Sequence, residues 1–553
     1  MRNFCLALCS GVALGLIACS DLGVKDVTDP DRNRVLGTPA DVEAFIGATY
    51  AQIQNATLGG SNDDIQTQLQ VEGMENVSGL ANFAMGPRGA IPRNPIDNTR
   101  GSQGNAGNLR DFQVLHRAAR MATIGIARLK VLTLGSPAQD ARARMFARFS
   151  QGVALGNLSL VYDSASILTE DDDPQATIPL SGYRAVNTAA LGYLDSALAI
   201  ATSTPGAFPL PNTWINGVAV TQTQMVQLIH SYKARLRASV ARSPTDTVDW
   251  AAVIADANAG ITSDFSIAMN PAAGWDVVWP IQAYATGSAN WHQMSQFWLG
   301  MGDVSGKFDA WLATPSSRAP FTVVSPDLRL PQGADRASQI GDTLRTGFKT
   351  FAGRPYVRNR PSGEDQPGDP FMISQYDFYR SRAFFVAGRI GNYPVMTAAE
   401  IRLLAAEAYL QPGPQQNFAQ AQTLINVTRA DANKGGLPAL SGITDTLTAV
   451  PGGAGCVPRV PDAAAGFKAT KCGNIWDALK WEYRLETAYT GYGMWYFAAR
   501  RWGDLPEGTP IQWPVPYQEM DARGKPFYPM GGLGNAGSAG PGNYGLKMSG
   551  GVF

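Results

Sequence analysis

Residues 475–503 read IWDALKWEYRLETAYTGYGMWYFAARRWG. Trp476, Leu479, Tyr483, Glu486 and Tyr489 recur at steps of three and four, which predicts a helix over Ile475–Tyr489 with that face buried and Lys480, Glu482 and Arg484 in water. Gly491 and Gly493 interrupt the pattern, and Met494–Arg501 resumes it. The prolines of Gln512-Trp513-Pro514-Val515-Pro516 then favour an extended segment.

Other helices are announced by their caps. Thr38-Pro39-Ala40-Asp41 supplies an N-cap, a proline at the first helical position and an early acid. A helix is expected through about Gln54, burying Val42, Phe45, Ile46, Thr49 and Ile53. Leu109–Leu134 is helical by periodicity, and Ser136-Pro137-Ala138-Gln139 reads as a capping box opening a helix toward Tyr162, so the two form a hairpin. Further helices are expected at Ala185–Ile200, Thr221–Ala241 and Asp249–Gly260. Thr397-Ala398-Ala399-Glu400 caps Ile401–Leu410, whose partner is Asn417–Ala432 beyond the Pro412-Gly413-Pro414 break. Repeated antiparallel pairs give a mainly α fold of tetratricopeptide-like units, without a strict 34-residue consensus. Two stretches break the repetition: a Gly/Asn/Pro-rich insertion at about 59–108 and a non-repetitive block at about 262–395. Insertions of this length are where a site is expected. In this setting the 475–503 helix reads as the element that closes the scaffold.

With 45 Lys+Arg against 45 Asp+Glu, the chain has no net field to attract nucleic acid. Its 553 residues at 45% hydrophobic can bury a large core. Residues 1–18 carry Arg2 and an apolar run too short to span a membrane, as in a secretion signal. Leu16-Ile17-Ala18-Cys19 resembles a bacterial lipobox, which makes Cys19 the acylated first mature residue and 19–36 a tether to the lipid surface. Residues 37–553 then form one domain. Cys456 and Cys472 are expected to form a disulfide; the alternative, zinc, lacks partners because His116, His230 and His292 are far away in sequence.

Trp275, Trp279, Trp291, Trp298 and Trp311 crowd one segment with Tyr284 among them. Aromatic faces beside Asp276, Gln282, Asn290 and Gln293 suit sugars or peptides. A helix beginning near Ala289 would place Trp291, Met294 and Trp298 in the core, whereas Gly274, Pro280 and Gly287 could leave Trp275, Trp279 and Tyr284 exposed on loops. The acidic run Asp171-Asp172-Asp173 lacks the EF-hand spacing and is expected to be a solvated loop, with metal binding there left open. No hydrolase, zinc-protease or P-loop motif is present. Gly532-Leu533-Gly534-Asn535-Ala536-Gly537 matches a dinucleotide fingerprint in letters but lacks the flanking strand and helix.

Several segments, in order, resemble the SusD/RagB family of outer-membrane lipoproteins. They are the lipobox and tether, TAAEIRLLAAEAYL at Thr397–Leu410, and Leu424-Ile425-Asn426-Val427-Thr428-Arg429-Ala430. Trp481-Glu482-Tyr483-Arg484-Leu485-Glu486 with Gly491 and Arg501-Trp502-Gly503-Asp504-Leu505 follow, then Trp513-Pro514-Val515-Pro516 with Glu519. Tyr496-Phe497 departs from the family's common Asp-Leu step, as a divergent member would. The resemblance implies a SusD-like helical scaffold, a loop-built ligand site, no catalysis and no cofactor. It also implies a role at the cell exterior, capturing oligosaccharides or peptides for a SusC-like TonB-dependent transporter. No binding residue transfers by motif; composition offers Trp275, Trp279 and Tyr284, with Asn76 and Asn82 as polar partners. The rival expectations are a helical-repeat adaptor for proteins and a secreted glycoside hydrolase.

Overall fold

Thr38 opens the first helix as its sequence predicts: its hydroxyl accepts the Asp41 N–H at 3.2 Å ahead of Pro39. The computed structural model describes residues 36–60, 64–78, 85–173, 176–279, 292–315, 318–346, 353–364 and 373–553. The expected leader at 1–18, Cys19 and the tether as far as Val35 lie outside the described residues. The expected single helix is two, α1 (Pro39–Gly47) and α2 (Thr49–Thr57). The Thr49 hydroxyl bonds back to the Ile46 carbonyl at 2.7 Å, competing with the helix ladder at the break. Val42, Ile46, Thr49 and Ile53 are buried and Phe45 half-buried.

Behind the first insertion comes the scaffold. Its helices are α4 (Asn105–Arg128), α5 (Pro137–Val161), α6 (Tyr183–Ser203), α7 (Gln222–Ser239), α8 (Trp250–Asn258), α9 (Ala398–Leu410), α10 (Phe418–Arg429) and α11 (Ile475–Thr487). Each packs on its neighbour in that order as far as α10, and α11 lies against both α9 and α10. These are the expected helix pairs. Caps set several of the starts: Ser136 accepts from the Gln139 N–H, and Thr221 with Gln224 makes a complete capping box. At Thr397 only half of the expected box forms, because Glu400 turns away to a bidentate pair with Arg235 at 2.7 Å. Gly152 lets α5 approach α6 closely; a Cβ there would sit 2.9 Å from the Ala190 carbonyl oxygen.

Helices α8 and α9 are sequence neighbours in the scaffold but are separated by the 262–395 block, and they still pack together. The block is closed at its base by an antiparallel ladder between Phe265–Met269 and Gly391–Met396, running from Phe265↔Met396 to Met269↔Gly391. It therefore projects from one point of the stack. A second ladder, Asn76–Ser78 with His292–Met294, joins the block to the first insertion. The expected helix near Ala289 is instead this strand followed by a short helix, Gln296–Gly300; Trp291 lies outside the described residues. The strand forms because Asn76–Ser78 offers it a pairing edge, a long-range partner that local periodicity does not reveal.

The first insertion is not all loop. It holds α3 (Ile65–Glu72), IQTQLQVE, with every residue buried. Its glutamines accept bonds from the C-terminal region: Gln66 from the Gly493 N–H at 2.7 Å and Gln68 from the Trp513 indole at 2.8 Å.

Lys480, Glu482 and Arg484 are not in water but in the core. Glu482 and Glu486 meet Arg329 at 2.6 and 3.2 Å, and Asp327 holds the same guanidinium at 2.7 Å. Lys480 and Arg484 converge on Asp504. Burial alone would raise the Asp504 carboxyl, but the two cations bring it below the ordinary carboxylate range. After the Gly491–Gly493 turn, α12 (Met494–Trp502) adds Arg501, paired bidentately with Glu407 of α9. This region thus packs on the last helix pair, as its position after that pair suggested, and it also ties the inserted block to the scaffold. The Cys456–Cys472 disulfide is formed, with Cα atoms 5.8 Å apart. The glycine-rich tail is folded too: Met530–Gly531 pairs with Pro95–Ile96, and the Tyr544 hydroxyl donates to Asp477.

Candidate functional site

The aromatic residues singled out in the sequence do not form an exposed platform. Trp279 is 3% exposed; its ring stacks on Tyr489 with centroids 4.3 Å apart, and its indole N–H donates to the Tyr393 hydroxyl at 2.7 Å. Trp275 is buried at 7% exposure, and its backbone is bridged to Asn270. Loop geometry could have exposed both rings; Tyr489 and Tyr393 cover Trp279 instead, and Trp275 is buried as well. Asn76 is also in the core, donating to Gln70 and accepting from the Tyr489 hydroxyl. Trp298 and Trp311 lie under Arg484 and Arg318, at 3.7 and 4.6 Å from the ring centroids. Of the polar neighbours, Asp276 is paired with Arg389 and Gln293 is buried. Tyr284, Asn82, Gln282 and Asn290 lie outside the described residues.

An open cleft of about 520 Å³ instead lies beside α4, within the size range of ligand pockets. One face of α4 is apolar and buried through Phe112, Leu115, Ala119, Ala122 and Ile126. Gln113, His116, Arg117 and Arg120 stand at i, i+3, i+4 and i+7 and face the cleft as a polar stripe. The opposite wall is Ser166, Leu168 and 176–178, set by an antiparallel ladder of Ser164–Ser166 with Leu180–Gly182. A short helix, α13 (Tyr517–Ala522), and Arg523 complete the cleft with Glu519.

Hydrogen bonds brace these walls. Arg523 donates to Glu519 at 2.8 Å, to the Ile178 carbonyl at 2.8 Å and to the Ser166 hydroxyl at 3.1 Å. His116 Nδ1 is 2.8 Å from the Phe112 carbonyl, while Nε2 accepts the Ser166 backbone N–H at 3.2 Å. Both contacts are satisfied only by the neutral ring with its proton on Nδ1. Burial pushes the His116 pKa down to about 4, and the charges of Arg523 and Arg120 act in the same direction. The imidazole is therefore a strut here and has no free nitrogen with which to act as a base. Among the described residues lining the cleft, Glu519 is the one carboxylate.

A second groove of about 580 Å³ runs between α10 and residues 440–444. Its amides are engaged by the loop itself: Gln422 bonds both backbone groups of Ile443, and Asn426 both of Leu440. This groove is a junction that ties the loop down. In the acidic loop, Asp171 pairs with Lys130 and Asp172 accepts the Thr169 N–H, both at 2.6 Å. No cluster of three or more metal-ligating side chains occurs among the described residues. The α4 stripe was readable from spacing alone, but its opposite wall and Arg523 come from sequence about 50 and 400 residues away.

No family model and no curated protein sequence matches the chain. Solved structures do resemble it. A SusD superfamily protein from Bacteroides thetaiotaomicron superposes with a TM-score of 0.51 at 13% identity, over 88% of this chain and 96% of that one. A SusD-like protein from Bacteroides fragilis gives 0.50 at 13% identity, over 86% and 88%. A SusD homolog from Parabacteroides distasonis gives 0.50 at 14% identity, over 84% and 86%. This mainly helical chain carries the SusD-like fold, at low sequence identity to its solved examples.

Proposed function

We propose that this chain is a lipid-anchored, non-catalytic binding protein of the cell exterior, which captures oligosaccharides in the α4 cleft and passes them to a TonB-dependent transporter. The observation that carries the binding reading is the composition of the cleft wall: hydrogen-bonding side chains and apolar patches surround a single carboxylate already paired with an arginine. Glycoside hydrolysis ordinarily needs two carboxyl groups flanking the bond. The neutral, doubly bonded His116 supplies no base in their place. The SusD-like fold supports the role, and anchoring and delivery rest on the resemblance of Leu16–Cys19 and the closing segments to that family. No helix among the described residues is long and apolar enough to cross a membrane.

The test is a glycan panel applied to the full chain purified in detergent, with bound sugars recovered and weighed by mass spectrometry. Retention of an oligosaccharide at its original mass is expected. Shortened products that disappear in Glu519→Gln would make the cleft an active site, and a chain that retains no glycan would favour the protein-adaptor alternative. Ser78↔His292 ends the ladder from which the segments carrying Asn82 and Tyr284 depart. Loss of binding in Tyr284→Ala, with cleft variants unaffected, would move the contact there.

A further inference from the structure

The cleft is positively charged in a chain that has no net charge. Arg117, Arg120 and Arg523 line it, against Glu519 alone among the described residues. Arg523 is held by three bonds to Glu519, Ile178 and Ser166, so its charge is largely matched within the wall. Arg117 and Arg120 differ. They stand one turn apart on the same face of α4, Arg117 exposed and Arg120 half-buried, and neither has a carboxylate partner among the described residues. Two acids share an adjoining pocket with Arg120 and both are engaged: Glu170 pairs with Arg148 at 2.6 Å, and Asp172 accepts the Thr169 N–H at 2.6 Å.

Two guanidiniums at i and i+3 have their Cβ atoms about 5–6 Å apart. From that spacing both forks can reach one carboxylate, and arginine suits this geometry because its paired N–H groups match two carboxylate oxygens. Around them, Gln113, Ser166 and Thr177 offer hydrogen bonds, while Leu168 and Ile178 offer apolar surface, a mixture that fits the hydroxyl edges and C–H faces of a pyranose. Resting on the glycan-binding reading above, we infer that this cleft takes a carboxylate-bearing oligosaccharide, one of uronic acid units, with a carboxylate bridging Arg117 and Arg120.

The experiment uses the full chain in detergent and calorimetric titration with oligomers of galacturonic, glucuronic and mannuronic acid, each against its methyl ester of the same length. The ester keeps every ring and removes the charge. At least one acid form is expected to bind roughly 10-fold or more tightly than its ester, the scale of a charge-assisted bidentate contact. The preference should shrink with added salt. The double variant Arg117→Gln, Arg120→Gln should remove the difference between acid and ester. Because neither side chain packs in the core, its melting temperature should stay at the parent value, which separates loss of contact from loss of fold. Equal binding of every acid and ester overturns the inference but leaves glycan capture standing. Displacement of the acid oligomer by pentaglutamate at equal concentration overturns the saccharide assignment. Failure of all glycans, neutral ones included, overturns the function itself.

Discussion

Trp279 stacks on Tyr489 and donates to Tyr393, so Trp279→Ala leaves a cavity in the core and takes one bond from the Tyr393 hydroxyl, which still donates to the Tyr489 carbonyl. A loss of about 3–5 kcal/mol in urea unfolding is expected, against about 0.5 kcal/mol or less for an exposed ligand contact. The sequence pattern of five tryptophans pointed to this region but could not tell a sugar platform from a core, because both demand the same large flat side chains. Glu75 gives a second test at this scale. Burial pushes its pKa up from 4.5 to about 8, with one opposing bond from the Tyr489 N–H. Between those two values the folded chain holds a proton that the unfolded chain has released, so this contribution to stability is full below pH 4.5 and lost as pH rises through 8. Glu75→Gln cannot titrate and keeps an acceptor for Tyr489. Its melting temperature should fall less than that of the parent between pH 5 and 8.5; an unchanged slope would mean that Glu75 is charged in the core.

At the scale of elements, caps and periodicity carried most of the information. The starts of α1, α5, α7 and α9 lie where Thr38, Ser136, Thr221 and Thr397 place them. The exceptions share one cause, which is that distant partners overrode the local pattern. Helix α3 reads as a polar loop because glutamines alternate along it, yet they are buried with partners from elsewhere: Gly493 donates to Gln66, Trp513 to Gln68 and Asn76 to Gln70. The supposedly wet face of α11 is buried because Asp327, Arg329 and Asp504 arrive from other parts of the chain. The α5–α6 contact is open to a direct test. Alanine is usually better than glycine inside a helix by about 1 kcal/mol. At position 152 the new methyl would meet the Ala190 carbonyl at 2.9 Å and the Leu194 Cγ at 2.7 Å. Gly152→Ala should therefore destabilise, by about 1–3 kcal/mol in thermal unfolding. A gain in stability would show that α5 and α6 are not so close.

Over the whole molecule, the SusD-like arrangement sets helix pairs beside a block closed by the Phe265–Met269 and Gly391–Met396 ladder; α11 holds that block through Arg329, while α12 is paired with α9. The scaffold was legible because helix pairs repeat. The cleft was not, because its walls are assembled from α4, a hairpin and Arg523, with only the α4 stripe showing in local spacing. Since His116 is neutral down to about pH 4, ligand affinity should show no inflection from it between pH 5 and 8. The cleft assignment is tested most directly by hydrogen–deuterium exchange on the full chain in detergent, with and without the tightest glycan from the panel. Slower exchange is predicted in residues 112–120, 166–168, 176–178 and 519–523, with the α10 groove unchanged; protection confined to other surfaces, or none at saturating glycan, would contradict it.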